Sequence, residues 1–162
     1  MVNNDIQGVV IGKSISIDSL VDRFFWSGHA NPTSVWTYVV AYPTLILAIY
    51  RQNRPLLAGI LLFVGINPLV APPPENDDAW ATRVVLGEQV WLEQGILSSK
   101  ETLFTAVCAP IYLYTIRAAI ERDPVRTVVG TVVSMVLMFL FFSRMVSLYE
   151  KETNHQNSAT TN

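Results

Sequence analysis

Charge is what this sequence has least of. Lys, Arg, Asp and Glu supply 15% of its 162 residues, against roughly 25% in an ordinary soluble domain. Those present stand between four long apolar runs. No Lys/Arg cluster builds a basic face and the net charge is −2, so nucleic acid is not an expected partner. Cysteine is nearly absent too. Cys108 is alone and inside an apolar run, so it closes no internal disulfide and leaves the redox compartment unread. No acid or histidine lies in the middle of an apolar run, which argues against a proton relay or cation path within one chain. Phosphate-cradling glycine loops, paired-histidine metal motifs and G-x-S-x-G are missing. The first fifteen residues lack a basic stretch followed by an apolar one, so no cleavable signal peptide is expected. Neither end carries a lipidation motif.

What is present is hydrophobic length. The stretch from Asn67 to Trp91, with Pro72-Pro73-Pro74 and a group of acids, divides two apolar runs from two more. The chain is one domain by length. Residues 1–15 read as a loose terminus. Ile17, Leu20, Val21, Phe24 and Phe25 then share one helical face. A helix over 17–28 would be under about 20 Å long. That is too short to cross roughly 30 Å of hydrocarbon, so it reads as interfacial, or packed on the ends of a bundle. Asn31-Pro32 is a cap followed by a first helical position. It opens a span over 32–50 with Trp36 and Tyr38 near one end and Tyr50 at the other, as an aromatic belt would place them. The polar turn Arg51–Arg54 forces an antiparallel return over 55–71.

The triple proline should run extended. Asp77 or Asp78 is expected to cap a surface helix over 78–94 that stops at Gly95. Trp80 and Trp91 are eleven residues apart, about 20° from a whole number of turns. They share a face, and headgroup depth is where such residues anchor. Ser98 to Glu101 has capping-box spacing. Spans over 102–120 and 124–149 follow, the second opened by Asp123-Pro124. Gly130 and Ser134 there make a small-xxx-small pair that admits a close neighbour. The polar tail, 150–162, reads as disordered. The proline–arginine–proline order of the first hairpin returns in the second as a faint echo.

Arginines concentrate in the short turns at 51–54 and 117–126. That density favours both turns inside, with termini and acidic loop outside, in a multi-pass cell-membrane protein. The fold class expected is thus all-α: an integral membrane four-helix bundle with two interfacial amphipathic helices.

Candidate chemistry gathers around the divided middle. His29 could act as acid, base or ligand, or simply hydrogen-bond at an interface. Asp77, Asp78 and Glu75 offer carboxylates for acid–base work, or caps and solvated charges. Arg83 and Glu88 are available as partners. Together His29, Asn31, Asp77, Asp78, Arg83 and Glu88 form one candidate polar site. The hairpin should bring His29 near those acids, because antiparallel helix ends lie about 8–10 Å apart. Pro43, Asn67, Pro68 and Pro110 interrupt spans and free backbone carbonyls that need other partners. Broken helices of this kind sometimes line a cavity. Trp36, Trp80 and Trp91 are the interfacial anchors. With one histidine outside the tail, neither a metal site nor a cofactor is expected.

These residues carry a resemblance. Phe25, His29-Ala30-Asn31-Pro32, Ser34-Val35-Trp36-Thr37, Asn67-Pro68, Pro72-Pro73-Pro74-Glu75, Ala79-Trp80, Arg83, Leu86-Gly87-Glu88 and Trp91 stand as they do in a family of small four-span membrane proteins. The family occurs mostly in salt-loving archaea and is classed as a domain of unknown function. The resemblance covers about residues 20–148. It implies four spans and brings no activity, substrate or cofactor. The expectation is a non-catalytic membrane protein with a binding or structural role. Its partners would be lipid and a second copy or another membrane protein. A membrane-surface enzyme or ligand site at His29, and an oligomeric transport subunit, are the alternatives.

Overall fold

Two tight turns set the architecture. Arg51 ends one helix, Gln52 takes φ 51°, and the amides of Gln52 and Asn53 donate to the carbonyls of Ile49 and Ala48. The second turn repeats this: Arg122 takes φ 58°, and the amides of Arg122 and Asp123 donate to Ala119 and Ala118. Both are left-handed helix stops that satisfy the last carbonyls. Asn53 and Asp123 then cap the returning helices by accepting from the amides of Leu56 and Arg126. One device therefore folds both hairpins, which gives the faint sequence echo a structural counterpart.

The computed structural model describes residues 26–95 and 100–160. Its helices are α1 (Ser27–His29), α2 (Pro32–Tyr50), α3 (Arg54–Val70), α4 (Trp80–Glu93), α5 (Lys100–Ile120) and α6 (Pro124–Thr160). Among the described residues there is no strand. The fold is all-helical, and α2, α5 and α6 are long and apolar enough to cross a membrane, whereas α3 is a shorter apolar helix of 17 residues. The expected helix over 17–28 falls mainly outside the described residues, as do the loose terminus and Ser98-Ser99 of the capping box.

Helices α2 and α3 pack as one hairpin and α5 and α6 as the other. Ala41, Ala48 and Ile60 form the core of the first. Between α5 and α6, Gly130 does admit its neighbour: a Cβ there would come within 2.6 Å of the Thr115 hydroxyl. Ser134 and Thr115 are buried together, their hydroxyls 3.2 Å apart, and the Tyr112 hydroxyl donates to the Ser134 carbonyl.

Helix α4 is more deeply engaged than a helix lying on a surface. It lies along α6 so closely that a Cβ on Gly87 would sit 2.0 Å from the Met145 carbonyl oxygen. Val84 and Val85 join Phe142, Met145 and Val146 in the main core cluster. Both tryptophans of α4 meet α6. Trp80 is 6.0 Å from the Phe142 ring and stacks 6.0 Å from Trp36, while Trp91 meets Phe141 edge-on.

Two local expectations need correction. Neither Asp77 nor Asp78 caps α4; the cap position is Ala79, without a side-chain bond, because Asp77 is engaged by Tyr149 and Asp78 leans on Arg83. The tail from Glu150 is helical to Thr160 rather than disordered. No glycine or proline interrupts it, and Gln156 donates to Glu152 one turn back, a spacing that supports helix.

Candidate functional site

The acidic-loop end of the bundle is assembled by side chains that reach back to earlier parts of the chain. Asn31 accepts from the Thr33 amide, which caps α2, and its amide nitrogen donates to the Pro72 carbonyl at 2.9 Å. One residue thus starts a helix and fixes the exit of the proline arm. Asn67 sits on the facing side of α3. Its amide donates to the hydroxyls of Ser34 at 2.7 Å and Thr37 at 3.0 Å. Pro68 lacks an N–H and so frees the carbonyl four residues earlier, that of Val64. The Tyr38 hydroxyl donates to that carbonyl at 3.0 Å. The carbonyl freed at Asn67-Pro68 is therefore met by the neighbouring helix. Pro43 and Pro110 lie inside α2 and α5. Pro43 borders a groove of about 310 Å³ with Ile46, Leu47, Thr127, Val128 and Thr131, which is almost wholly apolar.

The six candidate polar residues come together as smaller groups. His29 Nε2 lies 3.7 Å from Glu88 Oε2, an ion pair whenever the imidazole is protonated. Both side chains are about four-fifths covered. The His29 ring stands edge-on to Tyr38 at 5.2 Å and to Trp26 at 6.1 Å. Gly28, just before it, rests against α3: a Cβ there would lie 1.9 Å from the Pro68 carbonyl oxygen. Arg83 holds the second group. Its Nε donates to the Asp77 carbonyl at 2.8 Å, one terminal nitrogen to Glu150 at 3.4 Å, and the other lies 4.0 Å from Asp78. The Tyr149 hydroxyl donates to Asp77 Oδ2 at 2.6 Å. That bond, then a backbone bond and the Arg83 charge, holds the Asp77 carboxyl below its ordinary range. The third group is Asn31 with Pro72. Arg83 and Glu88, five residues apart on α4, point about 140° from each other.

Sequence reasoning missed Thr82, Ser34 and Tyr149. Thr82 lies in the first turn of α4. It is 1% exposed and donates to the Ala30 carbonyl at 2.9 Å, which fastens α4 to the end of α1. Its neighbours one turn on, Val85 and Leu86, were the available signal. Tyr149 gave none, since its partner is 72 residues away. Among the described residues, no group of three or more His, Cys, Asp or Glu is arranged to hold a metal ion.

A model described as a family of unknown function, DUF6653, matches residues 19–162. No curated protein and no solved structure matches the chain.

Proposed function

The chain belongs to the family of unknown function DUF6653, and with no activity to inherit from it we propose a four-span membrane protein with a binding or structural role and no catalytic one. The short helix α3 is the fourth span, made to fit by its antiparallel packing on α2. The arginine turns face the cytoplasm, and the loop with α4 faces outward. The observation that carries the reading is how the polar residues of the loop end are engaged. Asn31, Asn67, Asp77 and Arg83 each tie one chain segment to another. A transport role draws no support from the groove at Pro43, which is apolar.

The reading is tested by stability. Replacing a residue kept for catalysis is commonly neutral or stabilising, because active sites hold strained or unfavourable groups. Replacing a tie is destabilising. Arg83→Met should lower the thermal midpoint of the purified protein in detergent. An unchanged or raised midpoint would contradict a structural role.

One observation favours a second reading, a small-ligand site at His29 and Glu88. Their side chains approach to 3.7 Å, and α4 beside Glu88 borders a cavity of about 350 Å³ with Trp26, Gln89, Leu92 and Glu93. A rise in midpoint in Glu88→Gln would support that site; a fall would count it among the ties.

A further inference from the structure

Arg144 and Lys151 are two cations with no tie described above. Both are exposed, on one face of α6, seven residues apart. Among the described residues neither has a carboxylate within 4.0 Å. They border a groove of about 360 Å³ between α6 and the start of α5, together with Ser143, Ser147, Leu140 and Glu101. Its lining is half polar, unlike the groove at Pro43. From this we propose that the groove binds the phosphate headgroup of an anionic phospholipid.

Depth, charge and shape each support it. Arg144 lies twenty residues along α6 from Pro124. At about 1.5 Å per residue that is roughly 30 Å, the thickness of the hydrocarbon layer. Arg144 therefore leaves the apolar zone where phosphates begin, and Lys151 stands about 10 Å further out along the axis. The Arg144 guanidinium lies over the Phe104 ring, 4.6 Å from its centre. Stacking fixes the plane of the group and leaves its N–H edges free to meet phosphate oxygens, the geometry for which arginine is suited. The Ser143 hydroxyl adds a donor, while that of Ser147 already donates to the Ser143 carbonyl. Glu101 is the one carboxylate in the groove, set against two cations, and it can accept from a headgroup hydroxyl. Below the headgroup, Leu140 continues the wall. Phe104, under the Arg144 guanidinium, lines a slot of about 130 Å³ together with Cys108, Tyr112, Leu137 and Phe141. That slot is apolar and runs between α5 and α6 toward the membrane interior, as an acyl chain would.

The proposal rests on the four-span reading, and the experiment separates the two. The full chain is extracted from bilayers of equal phosphatidylcholine and phosphatidylglycerol, and the lipids that remain bound are counted by native mass spectrometry. Retention of lipid of either class reports the membrane belt; preference between classes reports the groove. The expected result is at least a tenfold preference for phosphatidylglycerol. It should be lost in Arg144→Gln/Lys151→Gln and in Ser147→Glu, which places a negative charge in the groove at an exposed position. Arg54→Gln, at the opposite end of the bundle, should keep it. Millimolar inorganic phosphate should not displace the lipid, because phosphate has no chain to bury. Equal retention of both lipids by the native chain would overturn the proposal. So would a preference unchanged in Ser147→Glu, or displacement by inorganic phosphate, which would make this a site for the free ion. Absence of all bound lipid in every form would instead count against the membrane reading.

Discussion

At the scale of single residues, buried hydrogen bonds do more here than charges. The Thr82 bond to Ala30 is inaccessible to water, so Thr82→Val leaves a buried carbonyl short of a partner. The expected cost is about 1–3 kcal/mol, read as a shift in the denaturation midpoint. Thr131→Val is the matched control. Its hydroxyl donates to the Thr127 carbonyl one turn back in its own helix, and that carbonyl keeps a helical partner, so the change should cost less. Asp77 carries the acid response. Its folded pKa is depressed from 3.8, mainly by the Tyr149 hydroxyl. A depressed carboxyl contributes stability above its unfolded value and loses it as pH falls through the folded one. Native protein should therefore be more stable than Tyr149→Phe near neutrality, and the gap should close below 3.8. A gap that persisted in strong acid would mean the hydroxyl does not act through the carboxylate. Sequence could supply the ends of these bonds but not the pairings. Asn31 as a cap was legible because its partner is two residues away; Tyr149 with Asp77 was not.

At the scale of elements, the joint between α4 and α6 governs the loop end. Gly87→Ala must push the two helices apart, since the new Cβ would fall on the Met145 backbone. Overpacking of this kind costs about 1–3 kcal/mol. Gly59→Ala meets nothing within 4 Å and should be neutral or stabilising, because alanine favours helix by up to about 1 kcal/mol over glycine. Equal effects at the two sites would refute the close joint. Hairpin turns were readable beforehand because proline, asparagine and aspartate act locally. The shared face of Trp80 and Trp91 was readable from periodicity, but what that face meets was not: a stripe of tryptophan fits a headgroup layer or a phenylalanine-rich helix equally well. The last turns of α6 escaped for a related reason. A polar composition says little about a helix that continues from a packed one and has nothing to break it.

At the scale of the whole molecule, the apolar surface is the dominant feature. Val125, Val128, Val132 and Leu140 on α6, Leu103 and Val107 on α5, and Leu62 and Val70 on α3 are all exposed. Side chains of this size on three helices make a belt that water would not tolerate and lipid would. Helix α6, at 37 residues, is about 55 Å long, well beyond the roughly 30 Å of hydrocarbon. Its polar end therefore reaches past that thickness, beside the loop it anchors. Hydrophobic length made the apolar helices legible, and the stiff triple proline pointed the loop back toward the start of the chain; its ties to α6 through Tyr149 and Gly87 had no such signal. The central claim is that α2 and α3 cross the membrane as a pair, so that the turn at Asn53 and the loop at Asn76 lie on opposite sides. Single cysteines at those two positions, in a Cys108→Ser background, test it with an impermeant maleimide on sealed vesicles. The account predicts that Asn76→Cys labels from one side only and Asn53→Cys only after the vesicles are opened, or the reverse. Labelling of both from the same side of intact vesicles would contradict it.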